Sequence, residues 1–332
     1  MAKSRRSARQ FIRVRTPLLL VGVGGMLWGL FWLARVALRF AANATDKAQR
    51  RGLVCPPFGN TPMHIGPTQF TTPFRLGSTS YVYAADLLTN VERLAGEGHV
   101  DDIELVLFEL ENGPSNLPDE RTVRAMAEVA SAHRVSFTAH LPLDLRYDTS
   151  DTHPSLRLAQ RVIELTRPLQ PLAYVFHLDG AGIEHADWMN QALQAVETAL
   201  RWVPAPDYLA LENLENYDPL YLEPIYAAFP IGRALDIGHV WKQGRLFNSV
   251  KEYGGFERLR VVHLHGCATG SDGKREDHLS LSCVAPAQLE ATLRALAGFT
   301  GVLTLEVFGE DDFFASRTAL LQTYNRLSTC PT

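Results

Sequence analysis

Four segments in the second half of the chain decide its fold: YLALENLEN from Tyr208, GRALDIGH from Gly232, RVVHLHG from Arg260 and VLTLEVF from Val302. Each is a short apolar run that stops on an ionisable residue, Glu212, Asp236, His263 or Glu306 in turn. Runs of three to six such residues bounded by turns read as strands. Working outward, the same pattern recurs toward the N-terminus, and the strand candidates are Arg75–Thr79, Ile103–Phe108, Ser136–Ala139, Tyr174–Phe176, Tyr208–Leu211, Gly232–Leu235, Arg260–Val262 and Val302–Leu305. Between and after them, Glu120–His133, Pro154–Arg167, Trp188–Val203, Pro286–Ala297 and Phe314–Leu327 repeat apolar residues at helical spacing. Strands alternating with helices predict a parallel sheet.

Length agrees. Setting aside everything before about Thr71 leaves 262 of the 332 residues, close to the roughly 250 of one α/β barrel. The predicted fold class is α/β, a single (β/α)8 TIM barrel over 74–328.

The ends of these strands carry Glu109, His140, His177, Glu212, Asp236 with His239, His263 with His265, and Glu306. In a closed barrel such residues converge on the C-terminal mouth, where barrel enzymes keep their sites. One His or Glu at a strand end is usually a capping residue. Seven successive ends bearing only His, Asp or Glu are different, because gathering so many ionisable groups away from water is costly unless a cation neutralises them. His278 adds a sixth imidazole in the loop after the seventh strand. His64, His99, His133, His153 and His185 fall in linkers or helix-loop regions and read as solvated surface. Mixed imidazole and carboxylate ligands predict a divalent transition metal, zinc, manganese or iron(II), with zinc or manganese the first expectation, rather than calcium. The ligand surplus predicts two or more ions.

The first 73 residues are unlike the rest. Residues 1–51 hold eleven Lys/Arg and one acid, so the chain's net charge of −4 leaves −14 on the remainder. An acidic domain of that size is a poor partner for nucleic acid. The uncharged, largely apolar run 16–34 is near the 20 residues that cross a bilayer, which predicts a membrane anchor. Two other readings stand beside it: a signal peptide, and translation starting at Met63, which would leave a cytoplasmic barrel. Residues 52–73 read as a Pro/Gly-rich linker. Four cysteines without a CxxC pair exclude a zinc ribbon or a disulfide-stapled fold.

The ENLEN segment at Glu212, DIGH at Asp236–His239, HLH at His263–His265, EDH at Glu276–His278 and LEVF around Glu306 resemble the xylose-isomerase-like barrels, which include apurinic endonucleases and sugar isomerases and epimerases. Within that group the opening FRLGSTSYVYAADLLTNVERLAG, with DDIELVLFE, NLPDE, AHLPLDLR and YVFHLDG, looks most like the cobamide-remodelling phosphodiesterases. The resemblance implies a metal quartet of Glu212, Asp236, His263 and Glu306, with His140, His177, His239 and His278 as further ligands; Glu109, His265 and Glu276 are additional candidates by position. Two positions depart from the endonuclease pattern: Glu109 stands where a His is expected, and Glu276 where an Asp is expected.

The resemblance implies metal-dependent phosphodiester hydrolysis in which Glu212 and Glu306 bridge the ions or orient water. The substrate it implies is a cobamide, cleaved in its nucleotide loop to cobinamide phosphate and an α-ribazole-type nucleoside. Tyr81, Tyr83, Asn112, Tyr217, Trp241 and Lys242 are candidates for holding that ligand. The competing expectations are a one-ion sugar or sugar-phosphate isomerase or epimerase, and a barrel that binds a ligand without catalysis.

Overall fold

The structure, a computed structural model, describes residues 72–329 except 111–112, 143, 148–152, 179, 181, 184–185 and 272. The expected anchor at 16–34, nearly all of the linker, Met63 and Asn112 lie outside the described residues, as do His64 and His185. Among the described residues no helix is long and apolar enough to cross a membrane.

Eight parallel strands close a barrel: β1 (Arg75–Thr79), β2 (Asp102–Val106), β3 (Ser136–His140), β4 (Tyr174–Phe176), β5 (Leu209–Glu212), β6 (Gly232–Asp236), β7 (Leu259–Leu264) and, after a hairpin of β8 (Gly266–Thr269) and β9 (Arg275–Leu279), β10 (Val302–Leu305). The pairing runs β1-β10-β7-β6-β5-β4-β3-β2 and returns to β1. The expected (β/α)8 barrel is therefore present, with strand limits that shift by a residue or two. The main correction is at the second strand: it ends at Val106 rather than Phe108. There the Asn116 side chain, rather than a neighbouring strand, accepts the Phe108 N–H at 2.7 Å.

The helices are α1 (Leu87–Gly96), α2 (Glu120–His133), α3 (Pro154–Thr166), α4 (Ala186–Leu200), α5 (Glu223–Ala228), α6 (Ile237–Lys242), α7 (Pro286–Ala295) and α8 (Glu310–Thr329). Their starts follow ordinary capping chemistry: Asp86 and Asp119 accept the backbone N–H three residues on, and Pro154 occupies the first turn of α3. Buried faces such as Leu156, Ala159, Val162 and Ile163 of α3 pack the helices against the strands as one large core.

Inside the barrel, side chains alternate with a period of two. Val175, Ala210, Ala234 and Val261 form a small separate cluster in the lumen with Ala173. Two residues further along each of those strands come His177, Glu212, Asp236 and His263, so the alternation that fills the lumen with small apolar groups also turns these side chains inward at the mouth. The register sets Asp236 level with His263, while Glu212 pairs with Ala234, two residues before Asp236.

Candidate metal centre

Four groups of His, Asp and Glu side chains gather at the mouth, and in each the ligand atoms lie within 4.8 Å of one another. His140, His177 and Glu212 form the first, and Glu212, Asp236, His263 and Glu306 the second. Asp236, His239, His265 and His278 form the third, and Glu215, His239 and Asp277 the fourth. Each group shares a residue with the next: Glu212, then Asp236, then His239.

Glu212 joins the first two groups through different oxygens. His177 Nε2 is 2.8 Å and His140 Nε2 3.4 Å from Oε2, while His263 Nδ1 is 2.9 Å from Oε1. Burial works to raise this carboxyl, but the surrounding imidazoles of His263, His177 and His140 outweigh it and hold it well below the usual carboxylate range. Glu306 behaves likewise: His263 and His278 overcome its burial and keep it ionised. Its Oε2 accepts no hydrogen bond among the described residues, although His263 Nδ1 lies at 3.3 Å and His278 Nε2 at 3.5 Å. A buried anionic oxygen left in this way, beside imidazole nitrogens aimed at the same point, suits a divalent cation.

The outer contacts set which nitrogen of each ring faces inward. His140 Nδ1 donates to the Leu141 carbonyl at 2.9 Å, turning Nε2 to Glu212. His177 Nδ1 faces Asp144 at 3.4 Å. His263 Nε2 is held at 2.8 Å by Glu104, a fully buried carboxylate one layer down in β2. His239 Nδ1 lies 3.0 Å from the Asn213 carbonyl. Carboxylates and carbonyls in this outer position fix ring orientation and raise ligand basicity. Burial disfavours the charged ring of His263, yet Glu104, Glu212 and Glu306 raise its pKa well above the ordinary imidazole value, and Glu212 with Asp144 does the same for His177.

The third group depends on α6 and the hairpin. Asp236 caps α6 by accepting the His239 N–H at 2.6 Å, and Asn213 clamps Asp236 by donating to its carbonyl and accepting its N–H, both at 2.9 Å. His265 Nε2 faces Asp236 Oδ2 at 3.1 Å, while its Nδ1 accepts the His278 N–H at 2.9 Å. His265 therefore orients Asp236 as well as lying within ligand reach. Gly238 makes room for that ring: a Cβ there would come 2.1 Å from His265 Cε1. His278 has a positive φ of 52°, which interrupts the strand alternation so that both Asp277 and His278 are buried.

Two expected ligands are not in the cluster. Glu109 is carried away by the early end of β2, bridges to Ser115 and binds Arg161 of α3 at 2.7 and 2.9 Å. Glu276 lies half-buried on β9 and belongs to none of the four groups, and its neighbour Asp277 faces inward instead. Glu104, Asp144, Asn213, Glu215 and Asp277 were not singled out by the sequence reading. Glu104 stood out as a lone acid within the apolar IELVLF run, and Asp144, Asn213, Glu215 and Asp277 lie inside the AHLPLDLR, ENLEN and EDH segments without a role of their own.

The candidate ligand-holding residues divide. Tyr83 is a packing residue: its hydroxyl donates to Glu97 at 2.8 Å and Arg93 lies over its ring. Tyr81 is tied to Asn116, whose amide donates to its hydroxyl at 2.6 Å. The Tyr217 hydroxyl and the Trp241 indole N–H are buried and bond none of the described residues. Burial raises the Tyr217 hydroxyl well above the usual phenol range, with Tyr226, Asp144 and Glu212 close enough to add to the effect. Lys242 is held by Glu215 and Asp277. Of the histidines read as solvated surface, His133 is exposed. His99, in contrast, pairs with Glu97 at 3.1 Å and packs edge-on against Phe314, and His153 caps α3.

The chain matches no protein-family model and no curated protein. Among solved structures it is similar to a D-tagatose 3-epimerase-like protein, 18% identical with a TM-score of 0.56 over 77% of this chain and 99% of the other. Endonuclease IV from Thermus thermophilus is 15% identical, with a TM-score of 0.57 over 76% and 99%. A xylose isomerase domain protein from Planctomyces limnophilus is 12% identical, with a TM-score of 0.56 over 78% and 98%. At these identities the likeness shows the fold alone, a closed (β/α)8 barrel.

Proposed function

We propose that this protein is a metal-dependent hydrolase acting on a phosphodiester. The observation that carries the reading is Glu212, whose two oxygens face separate imidazole groups, His140 with His177 on one side and His263 on the other. A carboxylate so placed is suited to bridging two ions, and a multi-ion centre is the arrangement that in-line displacement at phosphorus uses. His140, His177 and Glu212 would hold one ion, and Glu212, Asp236, His263 and Glu306 another. His239, His278 and Asp236 would hold a third. Bound there, such ions supply an acidified water and a counter-charge for the departing alkoxide.

The chain's own residues do the rest. Asp144, Glu104 and the carbonyls of Leu141 and Asn213 keep four imidazoles in position, and the ionised Glu306 would orient the attacking water. The Tyr217 hydroxyl, kept protonated by burial, is a donor toward bound substrate.

The substrate we propose is a cobamide, cut in its nucleotide loop, on the strength of the sequence segments that resemble cobamide-remodelling phosphodiesterases. Incubating the purified, metal-loaded full chain with an adenosylated cobamide should give cobinamide phosphate and an α-ribazole-type nucleoside on chromatography. Intact cobamide together with turnover of a ketose or ketose phosphate would replace this reading by the second one. That second reading, a sugar epimerase, is favoured by the Glu212–Asp236–His263–Glu306 group, which alone is a full ligand set for one ion. The D-tagatose 3-epimerase-like neighbour shares the same fold.

A further inference from the structure

Helix α6 places Asp236, His239 and Lys242 three residues apart, so they follow one another on a single face. The first two belong to the groups assigned above to metal ions. The third is a cation, and it reaches the fourth group, Glu215, His239 and Asp277. That group has the mixed imidazole and carboxylate composition that suits a transition ion. Its two carboxylates, however, already face the ammonium: Lys242 Nζ is 2.5 Å from Glu215 Oε1 and 2.5 Å from Asp277 Oδ2. The His239 ring, with Nδ1 toward the Asn213 carbonyl, turns Nε2 to Glu215 Oε2 at 3.6 Å.

We propose that Lys242 is a resident cation of the metal centre, whose ammonium fills the pocket between Glu215 and Asp277, excludes a further divalent ion there and so limits how many ions the barrel holds. The inference rests on the reading of the neighbouring groups as metal sites. Two carboxylates turned into one pocket and largely withdrawn from water require a compensating positive charge. The Lys242, Glu215 and Asp277 side chains are only 15%, 17% and 4% exposed. A lysine carried on the same helix as His239 supplies that charge at fixed position, and a divalent ion entering the pocket would have to evict it. Substituting methionine keeps the length and the apolar stem of the side chain while removing the charge, so the pocket becomes an acceptor for an ion.

The test is the metal content of the full chain, loaded with excess zinc, freed of unbound ion and measured by elemental analysis, for the wild type, Lys242→Met and Lys242→Arg. One more ion per chain in Lys242→Met is expected, with the wild-type number in Lys242→Arg and loss of the extra ion in the double variant Lys242→Met/Asp277→Asn. Equal numbers in metal-bearing wild type and Lys242→Met would overturn the proposal alone, whereas a wild type that binds no transition metal would overturn the metal reading beneath it as well. Should Lys242→Met fail to fold, zinc-edge anomalous diffraction from wild-type crystals gives the answer directly. Peaks at the other groups with none between Glu215 and Asp277 support the proposal, and a peak between those two carboxylates overturns it.

Discussion

Glu104 and His263 lie 159 residues apart in sequence, yet Glu104 Oε2 meets His263 Nε2 at 2.8 Å across the barrel lumen, and both side chains are fully buried. The contact leaves His263 Nδ1 pointing at Glu212 and Glu306. Removing such an outer carboxylate typically costs about 10- to 100-fold in metal affinity. Glu104→Ala should therefore weaken binding by about that much in competition with a chromophoric chelator. Glu104→Gln, whose amide oxygen still accepts the ring N–H, should recover most of it. Equal affinity for all three proteins would show that Glu104 does not position His263.

Glu109 offers the opposite expectation. Its partner is Arg161 on a partly exposed surface, an ion pair worth about 1 kcal/mol or less. Glu109→Ala should bind metal as the wild type does and melt within a few degrees of it. A lost ion in that variant would restore Glu109 to the ligand set.

These two acids show what could be read in advance. The strands β1, β4 and β10 have the limits that the apolar runs suggest, and the rule that ligands follow barrel strands brought His140, His177, Glu212, Asp236, His263 and Glu306 together. The rule failed at Glu109 because β2 stops three residues before it, a local decision made by the Asn116 side chain. It missed Glu104 because that residue lies inside a strand, where only the closure of the barrel brings it to His263. Asp277 was hidden because the β8–β9 hairpin was not foreseen, and the positive φ of His278 that lets adjacent residues turn inward has no sequence marker.

Gly238 is a position of close approach. An added methyl would come 2.1 Å from the His265 ring, which is confined between Asp236 and the His278 backbone. Forcing such a contact costs about 1–3 kcal/mol. Gly238→Ala should lower the melting temperature and selectively deplete the ion of the Asp236–His239–His278 group, measured as one ion fewer per chain. Unchanged metal content would mean that His265 moves freely.

Metal binding should release protons. The pKa values of His263 and His177 are raised well above the ordinary imidazole value by Glu104, Glu212, Glu306 and Asp144 despite burial, so these rings are protonated in the metal-free protein at neutral pH. A ligand nitrogen must lose its proton to bind. Affinity should consequently rise with pH from neutral into the alkaline range. Titration calorimetry at about pH 7.5 in buffers of different ionisation enthalpy should show release of at least one proton per chain. Binding without proton release would contradict the imidazole ligand set.

Asp102 gives a stability test away from the mouth. Burial raises its pKa from 3.8 to about 6, against the hydrogen bonds donated by Ser136 and Thr138. A folded-state pKa above the unfolded one favours the protonated form in the fold, so stability is greatest on the acid side and is lost as pH rises through about 6. Two pKa units correspond to about 3 kcal/mol. Asp102→Asn should thus melt several degrees above the wild type at about pH 8, with the advantage shrinking toward about pH 4. An advantage independent of pH would show that the carboxyl is not protonated on folding.

The shared role of Glu212 is tested most directly by the metal content of Glu212→Gln beside that of the wild type, measured on the folded full chain. The wild type should carry more than one transition-metal ion, and the single substitution should remove more than one of them together, because the carboxylate serves both the His140–His177 group and the His263 group. A wild type with one ion per chain would contradict a bridged centre and leave the single-ion epimerase reading in its place, and a variant that loses only one of several ions would contradict the shared role of Glu212.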